Sequence, residues 1–408
     1  MHNIIFYLII FIPVTGYIVE RYLEHLNSRM WSESLPAVLA GICDEEEYRN
    51  SQLYYRDNNK LSFWSSSFNV AVIVVMIAAG GFAFIDNSIR TISSHLIVIS
   101  LLFFGIVGLL SDLINIPFSI YDTFVIEKRY GFNKTTPRTF ITDHIKSWFI
   151  ALIVGVPVLG LITWLYYRLG HVFWIYAWIV ITVFSVFMNL FYSELIVPIF
   201  NKQTPLGEGT LRDKIESFAG KTGFRLKNIY LIDGSKRSTK ANAYFSGFGP
   251  KKRIVLFDTL LDEFSEEEIV AVLAHEIGHY RKKHILKSLI SSVLLTGVML
   301  FLFSLVVSNP LLSQAMGAKT ASFHIGLMVF GILYSPLSLI IGLVSNYFSR
   351  KNEFEADRFV RDNYESGFLA SALKKLSVKN LSNMMPHPAY VFFHYSHPPL
   401  LKRLEKLD

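Results

Sequence analysis

Residues 275–307 read HEIGHYRKKHILKSLISSVLLTGVMLFLFSLVV. The first five residues match the pattern H-E-x-x-H, and residues 285–307 form an apolar run long enough to cross a bilayer as a helix. On a helix, His275 and His279 lie on the same face, so both imidazoles can bind one zinc ion. Glu276 lies beside them and can take a proton from the water that attacks a peptide bond. The stretch therefore predicts a zinc-dependent hydrolase at a membrane surface.

The residues just before the motif indicate that it lies on a helix. Ser265 and Glu268 have the spacing of a capping box, in which each side chain bonds the other residue's backbone N–H. Apolar residues follow at 269–274 and continue into His275. The pattern H-E-x-x-H also occurs by chance on solvent-facing helices, but a capped helix gives it the geometry that a metal site needs.

A third metal ligand is expected from residues 353–357, which read EFEAD. Glu353 and Asp357 are four residues apart and share a helical face. Glu353 can bind zinc while Asp357 accepts the N–H of a ligand histidine. Glu355 is a rival third ligand, and an ordinary acidic helix face is the alternative to any metal role.

His284 is a further histidine near the motif. The longer pattern H-E-x-x-H-x-x-G-x-x-H, whose last histidine is a third metal ligand, does not match this sequence. Lys282 occupies its glycine position and Ile285 its last histidine position. His284 lies nine residues after His275, which on one continuous helix is about half a turn away. We therefore expect His284 to face away from the metal, as a cation at the membrane edge.

Composition indicates a membrane protein. The chain has 408 residues, of which 52% are hydrophobic and 17% charged, and its mean hydropathy is +0.38. Soluble domains carry about 25% charged residues. The single cysteine, Cys43, excludes an internal disulfide framework and a cysteine-based zinc site. We expect a mainly α, polytopic membrane protein with a small α+β insertion.

Seven apolar runs are long enough to span a bilayer. They are residues 3–19, 66–84, 95–115, 148–167, 173–198, 285–307 and 322–345. The first run lacks the basic start of a signal peptide, and Glu20, Arg21 and Tyr22 follow it instead of a small-residue cleavage site. We expect it to be a retained span.

Basic residues lie almost entirely on one side of the predicted spans. The alternate loops carry only Arg90, Arg168 and Lys319. The positive-inside rule therefore places the N-terminus outside and the C-terminus and both metal motifs in the cytoplasm. The net charge of +7 therefore mostly reflects the basic residues of the cytoplasmic loops. We expect the lipid bilayer as a partner and do not expect nucleic acid.

The chain divides into four predicted parts. They are an N-terminal membrane domain of five spans (1–198), a cytoplasmic zincin-like insertion with the H-E-x-x-H helix (199–284), spans six and seven (285–345), and a C-terminal segment with the third ligand (346–408). Because His279 closely precedes span six and Glu353 closely follows span seven, a bound metal would join the cytoplasmic ends of two spans. The oligomeric state is left open.

The insertion contains a predicted small sheet. Strands are expected at 228–232, 241–245 and 253–257, with a turn at 247–250. We expect Asn242, Ala243 and Tyr244 to contact a peptide substrate, which would pair with an edge strand through its backbone. A purely structural hairpin is the alternative.

Polar residues inside the spans predict a water-filled cavity. They are Asp112, Asn115, Asn189 and Glu194. A position at a helix end, near the headgroups, is an equal alternative for Asn115 and Glu194. No internal repeat is evident, which argues against a transporter built from inverted repeats.

Several blocks of this sequence resemble the type I CAAX prenyl endopeptidases, which are integral-membrane zinc metalloproteases of the gluzincin type. The blocks are residues 129–137 (RYGFNKTTP), 242–244 (NAY), 258–261 (DTLL), 346–357 (NYFSRKNEFEAD) and 394–400 (HYSHPPL). The resemblance implies a seven-helix barrel around an intramembrane chamber, with zinc on its cytoplasmic side. It implies a substrate peptide whose C-terminus carries a prenylated cysteine.

The resemblance also implies roles for single residues. His275, His279 and Glu353 are the implied ligands of one Zn²⁺, and Glu276 is the implied catalytic base.

Asn242, His397 and Arg403 are implied to line the site near the substrate. From the residues alone, His397 or Arg403 can stabilise a tetrahedral oxyanion. Arg403 can equally satisfy a nearby carboxylate.

Two alternatives remain from the sequence. One is a membrane quality-control protease of the HtpX kind, which needs no prenyl group; the other is a channel or transporter with structural zinc, which predicts a fourth protein ligand. The chain ends with EKLD and carries no retrieval signal of the endoplasmic reticulum. We therefore expect a prokaryotic plasma (inner) membrane.

Overall fold

The structure is a computed structural model that describes residues 3–224, 229–247 and 253–407. The helices are α1 (Ile4–Ser28), α2 (Glu45–Ala78), α3 (Gly81–Ile92), α4 (Leu96–Tyr121), α5 (Pro137–Ile150), α6 (Val156–Leu169), α7 (Phe173–Leu195), α8 (Val197–Phe200), α9 (Thr210–Lys221), α10 (Asp258–Leu261), α11 (Glu266–Arg281), α12 (His284–Val306), α13 (Pro310–Ala315), α14 (Phe323–Asn363), α15 (Ser366–Lys379), α16 (Pro388–His394) and α17 (Leu400–Leu407). The strands are β1 (Gln203–Pro205), β2 (Ile229–Ile232), β3 (Ala243–Ser246) and β4 (Arg253–Phe257).

The membrane part is a bundle of long apolar helices. By length and composition, six helical runs of the described chain can cross a membrane. One of them, Pro137–Phe200, has 64 residues and holds two spans, because Gly170, with φ of 56°, breaks it between α6 and α7. These two helices pack against each other. Six of the seven predicted spans therefore each fall on a helix, and the second, 66–84, runs from α2 through a turn into α3. The mainly α, polytopic fold class is confirmed.

Two span boundaries differ from the prediction. The second predicted span, 66–84, ends at Ala78, where the chain turns through Gly80 (φ 69°) into α3. Apolar residues continue through this turn, so hydropathy alone does not reveal it. The seventh span continues far beyond 345, since α14 has 41 residues, about 60 Å of helix. A single helix thus runs from the bilayer to Glu353 and Asp357.

The four strands form one sheet in the order β1-β2-β4-β3. β2 and β4 are parallel, and each outer strand is antiparallel to its neighbour, so β3 is an edge strand. Ile254 and Leu256 of β4 share a buried core with Ile269 and Leu273 of α11. Of the three predicted strands, 253–257 is confirmed in full, 228–232 is confirmed over 229–232, and 241–245 is confirmed only from Ala243, since residues 241 and 242 are not in a strand. Asn228 and the turn residues 248–250 lie outside the described residues.

The sheet is attached to the membrane helices through the loop that precedes α5. The backbone N–H of Lys134 donates to the carbonyl of Arg237 at 3.0 Å, and that of Thr239 donates to the carbonyl of Phe132 at 3.1 Å. The Arg237 guanidinium binds both carboxylate oxygens of Asp143 on α5, at 2.8 and 2.9 Å. These contacts fix the orientation of the sheet relative to the bundle.

The helix that carries H-E-x-x-H is capped as predicted. Ser265 Oγ accepts from the backbone N–H of Glu268 at 3.2 Å, and Glu268 Oε2 accepts from that of Ser265 at 2.9 Å. Glu268 also binds Lys375 of α15 at 2.8 Å. The cap therefore both starts α11 and joins it to the C-terminal helices.

Gly278 provides a test of the packing between α11 and α14. A Cβ at this position would lie 3.2 Å from Ala356 Cα and 3.3 Å from its carbonyl oxygen, and backbone atoms cannot yield unless the helix moves. We expect Gly278→Ala to destabilise the protein by about 1–3 kcal/mol, the usual range for overpacking, measured as a lower thermal unfolding midpoint of the purified protein. The control is Gly220→Ala on α9, where nothing lies within 4 Å. Equal midpoints for the two variants would contradict the close approach.

Candidate metal centre

Three side chains from α11 and α14 converge on one point. His275 Nε2 lies 3.1 Å from His279 Nε2 and 3.3 Å from Glu353 Oε2. His279 Nε2 lies 3.2 Å from Glu353 Oε1. His275 is 7% exposed and Glu353 is 4% exposed. The structure therefore brings together the three residues that the sequence singled out as ligands.

The donor set and its spacing fit a metal ion. Tetrahedral zinc with ligands at about 2.0 Å holds those ligands about 3.3 Å apart, close to the separations seen here. Glu353 Oε2 is buried, and its contacts within the described residues are long: His275 Nε2 lies 3.3 Å away and the Arg403 guanidinium 3.6 Å away, and neither is a well-formed hydrogen bond. A buried carboxylate oxygen without a partner is costly, and a cation beside it removes that cost.

His275 is held by a buried ion pair behind it. Its Nδ1 lies 2.9 Å from Asp357 Oδ1, and Arg403 binds both oxygens of Asp357, at 2.6 and 2.9 Å. Burial alone would lower the pKa of His275, but its bonds to Asp357 and Glu353 outweigh burial and raise the pKa to about 9. The surroundings thus attract positive charge to this ring, as a cation site should.

His279 is held by a different partner, and here the prediction for His284 was wrong. His284 is 4% exposed, and its Nδ1 lies 3.1 Å from His279 Nδ1. The chain does not continue as one helix: α11 ends at Arg281, and Lys283 adopts φ of 58° before α12 begins. The new helix direction returns His284 to the site. The sequence shows no glycine or proline at this break.

Glu355, the rival third ligand, lies outside the convergent group. Its Oε2 is 3.1 Å from His284 Nε2, and Glu353 occupies the ligand position instead. On α14 the two carboxylates are two residues apart and face different histidines. The sequence alone did not separate these two assignments.

Glu276 and His397 lie next to the ligand group. Glu276 is half-buried on α11 and has no hydrogen bond or ion pair to any residue that the structure describes. His397 precedes α17, is 65% exposed, and its Nε2 lies 3.3 Å from Glu353 Oε1. It also lines a cavity of about 460 Å³ together with Ser377, Asn383 and His394. The imidazole of His397 is therefore accessible beside the candidate metal position, and the carboxylate of Glu276 follows the ligand His275 directly in the chain.

The predicted substrate segment lies at the start of the edge strand: Asn242 immediately precedes β3, and Ala243 and Tyr244 are its first two residues. Asn242 is exposed, and Ala243 and Tyr244 are half-buried. Among the described residues, β3 pairs only with β4, and the ring of Phe245 lies 5.5 Å from that of Tyr280 on α11. The edge strand β3 therefore packs beside the helix that carries the two histidines.

The polar residues predicted inside the spans have different environments. Asp112 accepts a hydrogen bond from Trp148 at 2.8 Å, and Asn115 pairs with Asn69 of α2. Glu194, at the end of α7, forms an ion pair with Arg253 of β4. For Glu194 this contact favours the helix-end alternative, since its partner lies in the sheet.

Comparison with known proteins gives matches along nearly the whole chain. The family model described as CAAX prenyl protease N-terminal, five membrane helices, matches residues 25–202, and that of Peptidase family M48 matches residues 205–408. The chain is similar to CAAX prenyl protease 1 of Saccharomyces cerevisiae, with 37% identity over 95% of this chain and 92% of the relative. It is 33% identical to the human CAAX prenyl protease 1 homolog, over 96% of this chain and 93% of the relative.

A solved structure is also similar. The crystal structure of S. mikatae Ste24p superimposes with a TM-score of 0.95 and 35% identity, and all of both chains is covered. The relatives reported above are eukaryotic, so the expected prokaryotic plasma membrane gains no support from them. The multi-pass membrane character does gain support.

The ligand set predicts the metal content of a single variant. Glu353→Gln keeps the side-chain shape but removes the anionic ligand. We expect its metal affinity to fall more than about 100-fold, since losing only an outer partner costs 10–100-fold. Elemental analysis of the purified protein should then show far less than one metal per chain. Asp362→Asn, an exposed carboxylate on the same helix, should retain full occupancy. Full occupancy in Glu353→Gln would show that Glu353 is not a ligand.

Proposed function

The chain belongs to peptidase family M48 and carries the N-terminal domain of CAAX prenyl proteases, and from this premise we propose that it is a membrane-embedded zinc endopeptidase that removes C-terminal residues from prenylated CAAX-type proteins. The observation that carries the proposal is the buried group of His275, His279 and Glu353, with Glu276 next to His275 on the same helix. Two imidazoles and one carboxylate form the ligand set of catalytic zinc sites, which leave one position open.

Bound zinc would polarise the scissile carbonyl, and it would lower the pKa of the attacking water enough for this water to act as a nucleophile at neutral pH. Glu276 would take the proton from the attacking water and pass it to the leaving amine. Its position next to His275 in the chain, and the absence of a hydrogen bond or ion pair from its carboxylate to any described residue, support this role.

His397 and Arg403 are both candidates for stabilising the oxyanion, and their environments differ. His397 is exposed and close to Glu353, so it can donate a hydrogen bond to a substrate oxygen. Arg403 is 8% exposed and binds Asp357 with two nitrogens. We propose that His397 donates to the oxyanion. Arg403 acts mainly by holding Asp357 against His275, the alternative that the sequence left open.

A prenylated peptide suits the location of the site. His279 and Glu353 lie near the cytoplasmic ends of the sixth and seventh spans under the proposed topology, which has the N-terminus outside. Each CH₂ group of a lipid chain that is buried in a bilayer contributes about 0.8 kcal/mol of binding free energy. A prenylated C-terminus therefore stays near the membrane. Its extended backbone can pair with the free edge of β3, where Asn242, Ala243 and Tyr244 would contact it.

The substrate proposal predicts a difference between two peptides. We expect the purified protein to cleave a farnesylated CAAX peptide, because the lipid holds it at the membrane end of the site, and to cleave the unprenylated peptide much more slowly. Cleavage is followed by mass spectrometry, with and without chelator. Glu276→Gln should lose cleavage but retain metal. Equal rates for the two peptides would keep the zinc mechanism and indicate a general membrane protease; full activity of Glu276→Gln would contradict the base assignment.

The two oxyanion candidates predict different losses. His397→Ala should lower kcat about 10²–10³-fold, the usual cost of one oxyanion donor, with unchanged metal content. Arg403→Lys cannot make the two-pronged bond to Asp357, so its metal affinity and unfolding midpoint should fall as well. The kcat, the metal affinity and the unfolding midpoint are measured on the same preparations of each variant. Normal kcat in His397→Ala would contradict its role as donor.

A further inference from the structure

A second line of side chains reaches the metal centre from the membrane helices. His279 Nδ1 lies 3.1 Å from His284 Nδ1, and His284 Nε2 lies 3.1 Å from Glu355 Oε2. His284 is 4% exposed, and Glu355 is 36% exposed. The three residues come from α11, α12 and α14 respectively, so this line connects three helices at the site.

The geometry allows one arrangement of hydrogens when His279 binds a metal through Nε2. A neutral ligand imidazole then carries its hydrogen on Nδ1, and this N–H donates to Nδ1 of His284. His284 must in turn carry its hydrogen on Nε2, which donates to the Glu355 carboxylate. The negative charge of Glu355 thereby determines the tautomer of both histidines.

We propose that His284 and Glu355 are positioning residues that hold the ring of His279 in its ligand orientation and tautomer. The proposal rests on the proposed function, because it requires that His279 binds zinc. Neither residue touches the metal or the substrate. His284 acts through His279, and Glu355 acts through His284.

The two ligand histidines are therefore oriented in different ways. His275 donates directly to Asp357, a carboxylate that is 1% exposed and neutralised by Arg403. His279 donates to a neutral imidazole, and the carboxylate behind it is partly exposed. Because His284 is the first residue of α12, the orientation of His279 depends on where the sixth span begins. The left-handed residue Lys283 (φ 58°) brings His284 to that position.

Three substitutions test the role of His284. His284→Phe retains a planar ring but accepts no hydrogen bond. His284→Asn restores an acceptor, since its Oδ1 can take the place of Nδ1. His171→Phe is the matched control, an exposed histidine in the turn between α6 and α7.

Zinc affinity is measured by competition with a chromophoric chelator, and the visible spectrum of the Co²⁺-substituted protein reports ligand geometry. We expect His284→Phe to bind zinc about 10–100-fold more weakly and to have an altered Co²⁺ spectrum, with an unchanged unfolding midpoint of the metal-free protein. His284→Asn should recover most of the affinity. His171→Phe should match the wild type.

Two results would overturn the inference. One is wild-type zinc affinity in His284→Phe. The other is an equal loss in the Phe and Asn variants together with a lower metal-free midpoint, which would indicate a packing role alone. Failure of the proposed function has a different signature, because the wild-type protein itself would then bind no zinc or cleave no peptide.

Discussion

The close packing of α11 against α14 at Gly278 is the contact on which the metal centre depends. His275 and His279 lie on α11, while Glu353 lies on α14, so no ligand group exists unless the two axes approach closely. Glycine permits this approach, since even a methyl group there would press on the backbone of Ala356. The membrane adds a second constraint, because a spanning segment must be helical to satisfy its backbone hydrogen-bonding groups. The spanning helix α14 continues without a break from the bilayer to Glu353.

Most of the ligand group could be predicted from sequence because its geometry is local. The two histidines follow from a four-residue spacing on a capped helix, and Glu353 with Asp357 follows from the same spacing on α14. His284 was missed because its position depends on a break at Lys283, a residue type that rarely adopts positive φ. The turn at Gly80 was missed because hydropathy does not change across it. Contacts between distant segments, such as Arg403 with Asp357, have no local signal.

The electrostatics of the centre explain why a cation belongs there. Glu353 and Asp357 are both nearly inaccessible to water, and Arg403 neutralises only one negative charge. An unpaired buried carboxylate costs several kcal/mol. His275, whose pKa is raised, therefore either takes up a proton or shares a metal with His279 and Glu353. Folding and metal binding favour the same arrangement, as expected when ligands are buried together.

The start of the edge strand is attached to the membrane helices through Lys240. Lys240 donates to Tyr54 of α2 at 2.8 Å and forms an ion pair with Glu127 at 3.0 Å, and its ammonium lies 4.4 Å from the centre of the Phe132 ring. Lys240 comes two residues before Asn242, so this contact fixes the start of the edge strand relative to the membrane helices. Ile254 and Leu256 of the same sheet pack on α11. Strand β3 and the helix that carries His275 and His279 thus belong to one packed unit, so under the proposed function a peptide paired with β3 would have its backbone held at a defined distance from Glu276.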